Sequence, residues 1–198
     1  MWTLFSLRVI ITTMRLRKVI SGAQTGADIA GLEVAKKFGL ETGGSMPFGY
    51  KTLDGPKTEY REMYGVEMHQ SSSYVPRTRH NVKDSDGTIR LASNFDSRGE
   101  VCTLRAIQDY KKPHFDVDLS RLSDLTGVAS PTDLIGQQVV EWLDEHDIEV
   151  LNVAGNAEQT SPGTHARATE FLTELFQRMG LPCDGSQCPS EQSDGSPE

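Results

Sequence analysis

The sequence is poor in cysteine, in basic charge and in long apolar runs, and each shortage removes a class of protein. Three cysteines among 198 residues, Cys102, Cys183 and Cys188, are too few and too scattered for a disulfide framework, and the five histidines show no metal-ligand spacing with them. No metal site is expected. Cys183 and Cys188, set among Gly, Ser, Pro and Gln, read as solvated free thiols, and a reducing cytoplasmic location follows. Lysine and arginine number 20 against 28 aspartates and glutamates, a net charge of −8. That balance argues against nucleic-acid and anionic-membrane partners, both of which need a basic surface. The most apolar stretch, residues 1–15, is interrupted by Arg8, lacks a basic start and a small-residue cleavage site, and is too short to span a bilayer. It reads as an N-terminal arm rather than a targeting signal. Ser-His-Asp and Cys-His constellations are also missing, as are G-x-G-x-x-G and G-x-x-x-x-G-K-[ST].

What is present fits one domain. A chain 36% hydrophobic carries a single core, expected over residues 16–180, and the acidic tail 181–198, with four carboxylates and no Lys or Arg, is expected to be disordered. Apolar strands alternate with segments of helical spacing: a strand ending at Ile20, a helix over 29–38, and a short strand near Thr42. A helix then opens on Pro76, followed by a strand over 88–92, a helix from Glu100 with Cys102, Leu104 and Ile107 inward, and a strand over 113–117. A helix capped at Ser130, a strand over 149–154 and a helix opening on Pro162 complete the chain. This alternation predicts an α/β fold with a doubly wound, mostly parallel five-stranded sheet and helices on both faces. Residues 45–74 show little periodicity but hold Met46, Phe48, Tyr50, Tyr60, Met63 and Tyr64. That stretch reads as a lid or as a contact in a homo-oligomer.

The chemistry concentrates where the first strand turns into the first helix, at Ser21-Gly22-Ala23-Gln24-Thr25-Gly26-Ala27-Asp28. Two glycines permit a tight turn and close approach to the backbone, free N–H groups collect at the helix start, and Gln24 and Thr25 add side-chain donors, a combination suited to phosphate. The same residues also fit a capping box in which Thr25 caps the helix and Asp28 reaches back. Arg77 belongs to the densest basic cluster, either presented to a phosphate or part of a solvated helix face. Glu100 stands at a helix start, as a cap or as a general acid or base. Asn152 and Gly155 end the last strand in a second strand-turn-helix.

Five blocks in order give a resemblance. They are Ser21 to Asp28; Thr42-Gly43-Gly44 through Pro47-Phe48-Gly49 to Asp54-Gly55-Pro56; Arg77-Thr78 through Asn81-Val82-Lys83-Asp84-Ser85-Asp86 to Thr88; Gly99 to Thr103; and Asn152-Val153-Ala154-Gly155 with Ser161-Pro162-Gly163. Over residues 17–178 the chain resembles the putative molybdenum carrier family, Rossmann-like relatives of the lysine-decarboxylase-like phosphoribohydrolases. Two positions depart from it: Ala23 replaces a glycine, and Arg98-Gly99-Glu100 stands where Gly-Gly-Thr is usual. The resemblance implies a cytosolic binding protein for a phosphorylated nucleotide-like or pterin-like molecule, with the cofactor open between molybdenum cofactor and a nucleotide. Ser21, Gly22, Gln24, Thr25, Gly26, Gly43, Gly44, Arg77, Gly99, Asn152 and Gly155 would form the site. The alternatives are a nucleotide N-glycosidase of phosphoribohydrolase type, with Asp28, Asp86 or Glu100 as carboxylate catalysts, and a non-catalytic nucleotide-sensing module.

Overall fold

The computed structural model describes residues 15–122 and 131–183, side chains 131–133 aside. Residues 1–14 of the arm, most of the tail, Ser130 and Cys188 lie outside the described residues. β1 (Lys18–Ile20) runs through Ser21–Gly26 into α1 (Ala27–Lys37), which returns to β2 (Glu41–Gly43). The region read as aperiodic contains β3 (Ser45–Met46), β4 (Lys51–Thr52), β5 (Gly55–Pro56), α2 (Tyr60–Tyr64) and β6 (Glu67–Met68). The chain continues through α3 (Tyr74–Asp84), β7 (Gly87–Ala92), α4 (Arg98–Tyr110) and β8 (His114–Asp118), then α5 (Pro131–Glu145), β9 (Val150–Gly155) and α6 (Thr164–Arg178).

The central sheet is five-stranded and all parallel, in the order β2-β1-β9-β7-β8. The strand nearest the middle is the last one made: β9 pairs with β1 from Lys18↔Val150 and with β7 from Gly87↔Leu151. By position this is the 3-2-1-4-5 order of a doubly wound sheet whose first strand-helix unit, β9–α6, has moved to the end of the chain. α1, α5 and α6 pack together, α3 and α4 pack together, and right-handed crossovers put the two groups on opposite faces.

The faces are unequal. The sheet's apolar side chains Val19, Ile89, Leu91, Leu151 and Val153 join Val34, Val139, Leu172 and the fully buried Phe171 and Phe176 in one large cluster under α1, α5 and α6. Gly31 lets α1 lie directly on the strand, for a side chain there would meet Val153 Cβ at 2.7 Å. Under α3 and α4 the buried apolar cluster among the described residues is small: Val82, Ala106 and Ile107. Buried polar groups occupy that side instead, Arg90 from the middle of β7 and Glu100 from α4 among them.

Local differences from the sequence reading have physical causes. Pro76 is the third residue of α3, not the first, because Tyr74 and Val75 extend the helix back to Ser73. α4 begins at Arg98, with Ser97 Oγ accepting from Glu100 N, and turns Glu100, Thr103, Ala106 and Ile107 inward while Cys102 and Leu104 stay half-buried. The stripe 100-103-107 faces the sheet because Arg90 gives Glu100 a partner there. Cys183 is disulfide-bonded rather than a free thiol, and it packs with Leu181 against the main cluster instead of extending into solvent. Within residues 45–74, β3 pairs with β6 in parallel and β4 with β5 antiparallel. Met46 and Tyr64 bury with Ile29, Leu32 and Val66, while Phe48 and Met63 are exposed.

Candidate functional site

In a parallel sheet the carboxyl ends of the strands form a crevice where the direction of winding reverses, here between β9 and its neighbours. A cavity of about 490 Å³ lies there, walled by the ends of β1 and β9, the first two turns of α4, one side of α3 and Leu53 from the β4–β5 hairpin. Its lining includes Gly22, Gln24, Asp28, Arg77, Gly99, Glu100, Asn152 and Gly155. The structure therefore brings together residues from all five blocks, the second through Leu53 alone.

The opening turn is built differently from a phosphate cradle. Ser21 Oγ donates to the Asp28 carbonyl (2.9 Å) and accepts from Ala23 N (3.0 Å), so the hydroxyl serves the turn itself. Gln24 N donates to Asp28 Oδ2 (3.4 Å), Thr25 N to Gln24 Oε1 (3.0 Å) and Ala27 N to the Asn156 carbonyl (3.1 Å). The α1 terminus is thus occupied by the protein's own acceptors. The capping box does not form: Gly26 is the N-cap, with no side-chain cap, and Thr25 Oγ1 donates to Gln159 Oε1 at 2.6 Å. Gly26 has φ 86, and a Cβ there would lie 2.3 Å from the Asn156 carbonyl oxygen. That glycine admits the neighbouring strand's loop. Gly44, with φ 120, likewise admits the Ser21 backbone, with its would-be Cβ 2.1 Å from Ser21 O. Ser21, Thr25, Gly26, Gly43 and Gly44 are absent from the cavity lining among the described residues. Asp86 sits at the opposite, amino-terminal end of the strands, where its Oδ2 accepts from Glu149 N (3.1 Å) and Val150 N (2.8 Å).

Two ion groups, each with a buried carboxylate that lines the cavity, stand at its wall. Asp28, 5% exposed, pairs with Arg77 Nη1 at 3.1 Å. Burial raises its carboxyl above the usual range, against the pull of the Arg77 charge and of N–H bonds from Gln24 and Gly155. Gly22 exists for this pair: an added Cβ would fall 1.3 Å from Arg77 Nη1, so only glycine lets the guanidinium cross the turn. Arg77 also lies over the Tyr74 ring at 5.6 Å. The second group centres on Arg90, 3% exposed, whose guanidinium forms a two-pronged pair with Asp116, 2.7 Å through Nε, and approaches Glu100 Oε2 at 3.7 Å. Glu100 is 1% exposed. Burial pushes its carboxyl up to about 7, opposed by Arg90 and reinforced by the charges of Asp28 and Asp116.

Several polar atoms in this wall are left over. Tyr74 Oη, Arg77 Nε and Glu100 Oε2 are buried without a hydrogen-bond partner among the described residues. At α4, Val101 N donates to the Ser97 carbonyl and Glu100 N to Ser97 Oγ, whereas no protein acceptor faces the Arg98 and Gly99 N–H groups among the described residues. A Cβ on Gly99 would meet nothing within 4 Å. The open helix terminus at this crevice is that of α4, not α1.

Asn156 escaped the sequence reading. Its side-chain oxygen accepts from Ser93 N (3.1 Å) and Asn94 N (2.9 Å), and its amide donates to the Asn94 carbonyl (2.9 Å). It thereby holds the loop that leads into α4. The available signal was a lone Asn directly after Gly155, at the end of the last strand. Arg90 was also missed, although an arginine inside the apolar run Thr88–Ala92 demands a buried acid.

No described helix is long and apolar enough to cross a membrane, and among the described residues no cluster of His, Cys, Asp and Glu is placed to hold a metal ion. No curated protein matches the chain. A crystal structure of a putative molybdenum carrier protein from Syntrophus aciditrophicus is similar, at 33% identity and a TM-score of 0.72, covering 82% of this chain and 95% of that one. The model of the circularly permutated YpsA SLOG family matches residues 19–176, and its description fits a sheet in which the final strand takes the first strand's place. With that match over most of its length and a small-molecule cavity at its switch point, the chain belongs to the circularly permutated YpsA SLOG family.

Proposed function

We propose that the chain binds a phosphorylated nucleotide-like molecule in this cavity, with the phosphate at the start of α4 and the ring between Leu53 and α3. The observation that carries the reading is the open start of α4, where Arg98 N and Gly99 N face no protein acceptor among the described residues, on the wall of a cavity that Arg77 also lines. Helix-terminal N–H groups left without an acceptor in a crevice are suited to an anionic ligand. Arg98 N, Gly99 N and Arg77 offer the positive end of a helix and a guanidinium to the phosphate. A phosphorylated pterin asks for the same phosphate donors and a similar slot for a flat ring, so the molybdenum cofactor suits this end of the cavity. Its metal would find a single thiol there, Cys102, kept protonated by burial.

The second reading, cleavage of the ligand's N-glycosidic bond, is favoured by Glu100. Its carboxyl, poised near neutrality in a water-poor corner, is suited to protonate a departing base while water adds at the sugar carbon. One experiment addresses both readings. Purified protein is titrated with AMP, GMP and their relatives by calorimetry, and the same samples are chromatographed for free base. Binding should fall by at least about tenfold in Gly99→Glu, whose carboxylate enters open space and opposes the phosphate without disturbing packing. Equal affinity in Gly99→Glu refutes the placement of the phosphate, and free base at a rate lost in Glu100→Gln turns the binding protein into an enzyme.

A further inference from the structure

The groove between α3 and α4 is not used by a mononucleotide seated as above. It holds a second cavity of about 460 Å³ lined by Val75, Arg79, Asp96, Arg98, Val101, Cys102 and Arg105. Val75, Arg98 and Cys102 line both cavities, so the groove adjoins the first along these side chains. Its chemistry runs against the rest of the molecule. The chain carries −8 overall, yet here three arginines face one aspartate. Arg79 is fixed in place by Asp109 (2.6 Å) and by the Tyr110 ring beneath it at 5.1 Å. No acidic partner pairs with Arg98 or Arg105 among the described residues. Arg98, Val101 or Cys102, and Arg105 recur at helical spacing, so one face of α4 presents a cation, an apolar floor and a second cation in line.

This arrangement has a scale. From Gly99 to Arg105 the helix rises about 9 Å, and helical side chains lean toward the N-terminus, which brings Arg105 back toward the first cavity. Two anion-binding points are therefore separated by roughly the span of a sugar with a phosphate on either side, and the apolar floor lies between them.

Resting on the mononucleotide reading of the main cavity, we infer that the ligand continues into the α3–α4 groove, where Arg79, Arg98 and Arg105 hold a second anionic group. The preferred ligand is then a nucleotide with two phosphates separated by its sugar, a bisphosphate or dinucleotide, rather than a nucleoside monophosphate. Arg98 stands at the junction and contacts both ends. Cys102 supplies a neutral, half-buried wall, because burial keeps its thiol protonated despite the surrounding arginines.

The test compares AMP and GMP with their 3′,5′-bisphosphates by calorimetry, on the full chain and on Arg105→Glu and Gly99→Glu. The bisphosphates should bind about tenfold more tightly than the monophosphates, the worth of one additional charge-assisted contact, and with a steeper loss of affinity in salt. In Arg105→Glu that ratio should collapse to near one. A ratio near one in the unmodified chain, or one that Arg105→Glu leaves intact, overturns the inference while the main-cavity reading stands. Bisphosphate binding that depends on Arg105 but is indifferent to Gly99→Glu upholds the groove and refutes the main-cavity phosphate. Failure of all four probes to bind refutes both.

Discussion

Replacing Glu100 by Gln gives the sharpest test of the electrostatics described above. Glu100 is 1% exposed, and its carboxyl rises from an ordinary 4.5 to about 7 in the folded chain. The native state therefore holds a proton that the unfolded chain releases, so stability falls as pH rises from about 4.5 to about 7 and levels off above that. Each pKa unit is worth about 1.4 kcal/mol, which makes the full pH-dependent term about 3 kcal/mol. Glu100→Gln removes the ionisation and leaves the Arg90–Asp116 pair in place. Any cost of fitting the amide is the same at every pH and drops out of the comparison. The assay is urea unfolding of both proteins at intervals from pH 4 to pH 8.5. Relative to the parent, the variant should gain about 3 kcal/mol across that range, with the midpoint of the gain between pH 5 and 7. Asp28, whose carboxyl is also raised, is present in both proteins and enters the difference only through its charge coupling to Glu100. A stability difference flat with pH would refute the burial-driven shift and leave Glu100 an ordinary paired carboxylate.

Two further substitutions probe the turn beside it. Asp28→Asn leaves Arg77 buried without its counter-charge and should lower stability by about 3 kcal/mol, read as a drop in urea midpoint; Asp28→Asn with Arg77→Met should recover most of the loss. Ala23 holds φ 48, a conformation that disfavours a side chain by about 1 kcal/mol, but its buried methyl is worth about 0.8 kcal/mol. Ala23→Gly should then change stability by less than about 1 kcal/mol, and a loss above about 2 kcal/mol would show that the methyl matters more than the backbone.

The sheet was legible because its strands are written as apolar runs between glycine-bearing turns: Val19-Ile20, Ile89 to Ala92 and Leu151 to Ala154 each announce a buried strand. The small pairings within residues 45–74 were not legible, since strands of two residues are shorter than any period. In the crevice, Arg77, the adjacent Gly99 and Glu100, and Asn152 come from three separate blocks that converge on the cavity. What misled was the assumption that glycine beside a helix start makes room for a ligand. Gly22 makes room for Arg77, and Gly26 and Gly44 make room for backbone. Such crowding depends on which chain segments become neighbours, and local sequence carries little of that. Arg90 shows the same limit: its partners Glu100 and Asp116 lie 10 and 26 residues away, on other elements.

The position of β9 sets an order on the molecule's birth. Arg17 and Glu149, hydrogen-bonded across the first and last strands of the sheet, are 132 residues apart. While the chain is being made, β1 can find β2 and β7 can find β8, but the two pairs share no edge until β9 arrives to lie between them. The nascent protein therefore exposes two incomplete apolar half-sheets from the completion of β8 until β9 is made, and non-local closure of this kind folds slowly and invites association in the meantime. The same late strand brings Asn152, Gly155 and Asn156 to the crevice, so the cavity comes into being in the final step of assembly, and a chain cut off before β9 has neither its sheet nor its site.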